Sequence, residues 1–168
     1  MSRKDSIYRL LDTNGDGSGI VEAVGNYSAT PTSFKISASE GACTIERLII
    51  MIEDTGSFDS GRYGNGLSLI NGVRVYLKNA TDEVLEEFTS FPILTNGDWA
   101  GHCHDFNHFN WGTGNEVASI RWTFSKSGQP IRVRLGLGEY FEVYLNDDFT
   151  GLVKHRFTIQ GKFETQYV

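Results

Sequence analysis

An all-β sandwich or barrel is the fold class that this 168-residue sequence predicts, and three observations predict it. Apolar residues recur at every second position in several short stretches, the period of a strand with one buried face. Nineteen glycines and many Asn-Gly, Asp-Gly and Ser-Gly pairs break the chain between those stretches, which follow one another about every 8 to 12 residues. Helical periodicity is almost absent. The spacing corresponds to roughly eight strands.

The elements follow in chain order. "CTIERLIIMIED" holds Leu48, Ile49, Ile50, Met51 and Ile52, apolar on both faces. That marks a central strand covered on both sides, or one whose second face meets a partner. "GLSLINGVRVYLKN" alternates through Leu67 and Leu69, turns at Asn71-Gly72 and resumes at Val73, Val75 and Leu77, the pattern of a β-hairpin. "ATDEVLEEF" reads either as a short helix or as a strand flank. "VASIRWTFSKSGQPIRVRLGL" sets Ala118, Ile120, Trp122 and Phe124 on one side, turns at Ser127-Gly128 and continues at Ile131, Val133 and Leu135, a second expected hairpin. In the last stretch Phe141, Val143 and Leu145 are joined through Asn146, Asp147 and Asp148 to Val153, His155, Phe157 and Ile159, a third expected pair.

The length suits one well-buried core, so a single domain over residues 31–168 is expected behind an N-terminal arm, residues 1–30. The net charge of −6 argues against a general binder of phosphate backbones, so no nucleic-acid partner is expected. "MSRKDSIYRLL" lacks the apolar centre of a signal peptide and no run is long enough to span a membrane; synthesis and folding in a cytoplasm are expected. Cys43 and Cys103 form no CxxC pair and suit small buried thiols, a disulfide between them being the alternative.

Three clusters raise the question of chemistry. In "LLDTNGDGSGIVEA" Asp12, Asn14 and Asp16 alternate and Gly17 stands where a calcium loop turns. The twelfth position of such a loop, which needs a bidentate glutamate, is Ala23, and no helix flanks it. Turn chemistry is the plainer reading, with calcium a weak alternative. In "GHCHDFNHF" His102 and His104 alternate on a strand, with His108 beyond them, resembling part of the cupin metal motif. The glutamate and the later histidine half of that motif are missing, so no metal and no other cofactor is expected. Neither G-x-S-x-G nor an activated cysteine is present, the carboxylate pairs read as solvated turns, and no enzyme is expected. Trp99, Trp111, Tyr63 and Phe109 lie in turn-rich segments and suggest either sugar platforms or interface anchors.

Four stretches, "LLDTNGDGSG", "IEDTGSFDSGRYGNGLSLINGVRV", "WGTGNEVASIRWTFSKSGQPIRV" and "EVYLNDDFTGLVKHRFTIQG", together resemble small virion structural proteins of tailed bacteriophages. That resemblance implies a jelly-roll-like β-sandwich with an extended N-terminal arm, located on the capsid surface as a decoration or cement protein. It implies the major capsid protein as partner, a homotrimeric state, and no membrane partner. Within the arm, Tyr8, Arg9, Leu10 and Leu11 are the expected capsid contacts, because the apolar side chains among them stand in an otherwise polar terminus. The alternatives are a carbohydrate- or receptor-binding module of neck or tail, and a cupin-like metal protein.

Overall fold

The structure, a computed structural model, describes residues 2–37, 42–59, 62–64, 66–88, 105–110, 114–124, 131–134 and 137–166. Among these, ten strands form: β1 (Ser2–Leu10), β2 (Thr32–Ser37), β3 (Ala42–Thr55), β4 (Val73–Lys78), β5 (Val84–Glu87), β6 (Asp105–Asn110), β7 (Asn115–Thr123), β8 (Ile131–Arg134), β9 (Tyr140–Leu145) and β10 (Lys154–Gln166). They build two antiparallel sheets, one ordered β1-β10-β3-β7-β6 with β8 also on β3, the other β2-β9-β4-β5.

The pairing follows one rule. β1 pairs with β10, β2 with β9, β3 with β7 and β8, and β4 with β5. The first half of the chain thus forms one long antiparallel ribbon with the second half, rolled so that successive pairs fall in alternate sheets. With β7 and β8 counted as one interrupted strand, and β6 as an added edge, this is the strand order of a jelly roll. Among the described residues no helix is long and apolar enough to cross a membrane.

Period-two patterning explains which side chains fill the space between the sheets. Along β3, Cys43, Ile45, Leu48, Ile50 and Ile52 are buried. They meet Phe34 and Ile36 of β2, Val73 and Val75 of β4, Phe141, Val143 and Leu145 of β9, and Phe157 and Ile159 of β10 in one core. Each such side chain contributes roughly 1.5–3 kcal/mol on burial. The change of parity in β3 between Ile45 and Leu48 is matched by a register shift in β10 at Gln160/Gly161. A Cβ on Gly161 would lie 1.8 Å from the Thr44 carbonyl oxygen, so only glycine admits this bulge.

Three expected strand pairs are resolved differently. Asn71-Gly72 closes no hairpin: β4 begins at Val73 and pairs with β9 and β5. The Asp147 carboxylate takes up the turn, accepting hydrogen bonds from the backbone N–H groups of Ile70, Asn71 and Gly72 at 2.8–3.1 Å. β7 and β8 lie in tandem along β3, opposite residues 47–55 and 42–45, and among the described residues do not pair with each other; Ser127, Gly128 and Leu135 of that expected hairpin lie outside the described residues. β9 and β10 belong to different sheets. "ATDEVLEEF" supplies β5, an exposed strand.

Of residues 1–30, expected as an arm, the described residues 2–30 run along the sandwich. β1 is zipped along β10 from Ser2↔Gln166 to Leu10↔Thr158. Leu11 then donates its N–H to the Phe157 carbonyl at 2.8 Å and is fully buried. The chain crosses to the second sheet through an Asp12↔Lys35 bridge and returns along β10 and the loop after β9, with Ala23 N–H on the His155 carbonyl and Tyr27 N–H on the Asp147 carbonyl.

Candidate functional surface

The outward side of the larger sheet follows from the register. On β3 the residues between the buried ones, Ile49, Met51 and Glu53, face away from the core, and their cross-strand partners do the same. These partners are Thr158, Arg156 and Lys154 on β10, and Arg121, Ser119 and Val117 on β7. Leu10 of β1 stands opposite Thr158, and Tyr8 opposite Gln160. Tyr8 and Leu10, the outward residues of β3 with these cross-strand partners, and Asn107 of β6 line an open concavity of about 1060 Å³.

Its floor is apolar, made by Leu10, Ile49, Met51 and Val117, with the strongly exposed Tyr8 at one side. Its rim is charged and partly self-paired. Lys154 Nζ lies 3.6 Å from a Glu53 oxygen, and Arg156 Nε donates to Glu22. Arg47, on the same outward face, holds Thr123 Oγ1 and Gln160 Oε1, each at 3.1 Å. An apolar patch rimmed by fixed polar groups is the composition of an interaction surface. The doubly apolar reading of β3 pointed to it, but the register was needed to gather its neighbours.

The four expected contact residues are divided. Tyr8 and Leu10 line the concavity. Arg9, opposite Ile159, has the parity of the inward side and is half-buried. Leu11 is a core residue, because its position continues the inward parity of the edge strand; it cannot serve a partner.

The stretch that suggested calcium is a self-capped turn. Asp12 is buried, and its two carboxylate oxygens accept the N–H groups of Gly15 at 2.6 Å and Gly19 at 2.7 Å. Asp16 accepts from Ser18 N and Oγ, which holds its carboxyl below the usual range. Asn14 Nδ2 donates to Ser18 Oγ at 3.1 Å. Gly15 and Gly17 take the left-handed conformation, with φ of 83° and 89°. Asx turns of this kind spend the side-chain oxygens on their own backbone.

His102, His104, Cys103, Trp99 and Trp111 lie outside the described residues. His108 and Phe109 lie on β6, opposite Ala118 and Val117 in the register. Among the described residues no group of three His, Cys, Asp or Glu side chains converges as a metal site. Cys43 is buried with a free thiol, pushed up to about 11 by burial. Tyr63, weighed as a surface aromatic, is a core residue. Its hydroxyl bonds to His155 Nε2 at 2.8 Å, and His155 Nδ1 donates to the Ala23 carbonyl at 2.8 Å. Sequence reading gave His155 only as an inward strand position; its role depends on Ala23 and Tyr63 arriving from distant loops.

The outer side of the smaller sheet carries Tyr76, Tyr140 and Tyr144. Lysine ammonium groups sit over these rings: Lys35 5.3 Å from the Tyr140 centroid, Lys78 5.2 Å from Tyr76 and 5.9 Å from Tyr144. Lys78 is also ion-paired with the buried Glu142. This face is largely satisfied by its own cation–π pairs.

Fold and surface together define a jelly-roll β-sandwich with a concave, apolar-floored outer sheet. Comparison with protein-family models, curated proteins and solved structures finds no match.

Proposed function

We propose that the chain is a non-catalytic virion protein of a tailed bacteriophage, a decoration or cement protein that binds the outer surface of the assembled head and bridges major capsid subunits. The observation that carries this reading is the outward apolar floor at Ile49 and Met51 on the central strand β3. A monomer gains nothing from leaving such a patch on a sheet already closed by its own core. The sequence resemblance supplies the virion context, and jelly rolls are common in capsid proteins, an argument by fold analogy. A protein that binds only the assembled shell stabilises it by mass action, and several contacts at once raise the effective affinity.

The test adds purified protein to heads assembled without it. The unsubstituted chain should bind in hundreds of copies and raise the temperature at which heads rupture. Met51→Asp, at an outward and half-buried site, should keep the melting temperature of the free protein within a few degrees but abolish head binding. Undiminished binding by Met51→Asp, or a virion copy number of a dozen or fewer, overturns the reading.

A second reading, a carbohydrate- or receptor-binding module of neck or tail, draws on Tyr76, Tyr140 and Tyr144 on one sheet face. It stands second because Lys35 and Lys78 occupy ring faces on which a sugar would stack. A glycan-array signal lost on Tyr144→Ala would move it to first place.

A further inference from the structure

We infer that two copies of this chain pair through β1, antiparallel across a two-fold axis at Ile7, so that their larger sheets join into one continuous sheet. Among the described residues β1 is the edge of that sheet, with β10 as its neighbour. It pairs along its whole length, nine residues without a bulge, and contains no proline. Edge strands that must stay alone are usually short, bulged, proline-bearing or charged; β1 is neither short nor bulged, and its Asp5 and Arg9 carry opposite charges that a second copy can match. Tyr8, on this strand, leaves 69% of its surface exposed.

The ladder fixes which backbone groups are on offer. Leu11 donates its N–H to β10, at the Phe157 carbonyl, and in an antiparallel strand successive residues point their N–H and C=O groups alternately to the two sides. Ile7 and Arg9 therefore bond toward β10, while Ser6, Tyr8 and Leu10 present theirs to the open edge. A partner strand must oppose its own outward residues to these. For two identical copies the two-fold axis must then pass through a residue, since an axis between two residues would set outward groups against inward ones.

Charge selects among the remaining registers. An axis at Ser6 opposes Arg3 to Arg9 in both halves, and an axis at Asp5 opposes that carboxylate position to itself; like charges directly opposite destabilise a ladder. An axis at Tyr8 shortens the ladder to Ser6–Leu10. The axis at Ile7 opposes the Asp5 position of each copy to Arg9 of the other, Ser6 to Tyr8 and Lys4 to Leu10. It places Ile7 against Ile7 as a non-hydrogen-bonded pair, where side chains approach most closely. The sequence of β1 is thus self-complementary in one register.

The inference does not depend on what the concave surface binds, and it predicts a two-fold assembly where the phage resemblance implies a three-fold one. Light scattering after gel filtration of the full chain at micromolar concentration should give the mass of a dimer. Asp5→Arg and Arg9→Asp singly should each weaken dimerisation by roughly tenfold at low salt, since symmetry counts every lost pair twice. The double variant Asp5→Arg/Arg9→Asp should restore it. Should Arg9→Asp fail to fold, Ile7→Cys gives an independent reading: mild oxidation should link two copies through position 7, identified by peptide mass, with no such link in the unsubstituted chain. A monomer at 100 times the working concentration, a trimer, equal behaviour of single and double variants, or the absence of a 7–7 link would each overturn the inference.

Discussion

Tyr63 and His155 meet in the interior, the phenol hydroxyl 2.8 Å from Nε2, although 91 residues separate them in sequence. The Ala23 carbonyl accepts the other ring N–H at 2.8 Å, which fixes the imidazole as the neutral Nδ1–H tautomer. Phe149 and Phe157 flank the ring, with centroids 4.9 and 4.8 Å away.

That setting makes stability depend on pH. Burial lowers His155 from 6.5 to about 4, so the unfolded chain takes up a proton more readily than the folded one between those values. The stabilisation is complete above about pH 6.5 and is lost as pH falls toward 4, a loss of roughly 3 kcal/mol from this group. Urea unfolding at a series of pH values should show that slope, and His155→Gln, less stable at pH 7, should flatten it. Equal slopes in the two proteins would refute the assignment.

Asp147 should be among the most sensitive loop positions. Its carboxylate satisfies three consecutive N–H groups, at Ile70, Asn71 and the buried Gly72. Asp147→Ala is expected to cost about 2–4 kcal/mol by orphaning those donors, and Asp147→Asn, which keeps one acceptor, about half as much. Both are read from urea midpoints.

Two glycines separate steric from conformational demand. Gly161→Ala drives a methyl group into the Thr44 carbonyl and should cost at least about 3 kcal/mol. Gly17→Ala meets nothing within 4 Å but must hold φ at 89°, for about 1–2 kcal/mol. A similar loss in both would contradict the bulge geometry.

The N-terminal strand should divide by parity. Leu11→Ala, at a fully buried site, is expected to destabilise by about 2–5 kcal/mol. Tyr8→Ala, largely exposed, should change the stability of the isolated protomer by less than about 0.5 kcal/mol, while weakening whatever the outer surface binds. Thermal melts of dilute protein compare the two directly.

Much of this was legible from residue order. The alternation of Phe141, Val143 and Leu145, or of His155, Phe157 and Ile159, states which side chains face a core, because successive strand residues point to opposite faces. The doubly apolar run at Leu48–Ile52 marked β3 as central. All of these are local, and each needs only its own few residues.

Partnership is not local, and only the tertiary structure decided it. Period-two patterning says that a strand has an inside, not which strand lies beside it. Hence Asn71-Gly72, an apparent hairpin turn, became a seat for Asp147, and β9 and β10, adjacent in sequence, went to opposite sheets. The carboxylate of Asp12 looked like a ligand until Gly15 and Gly19 N–H groups claimed it. In a jelly roll the ladders join the two ends of the chain, β1 with β10 and β2 with β9. The sequence therefore determined the inner faces of β4, β7, β8, β9 and β10 and the central place of β3, while the strand character of the N-terminal segment, the concave outer surface and the open edge at β1 exist only once distant segments have closed against each other.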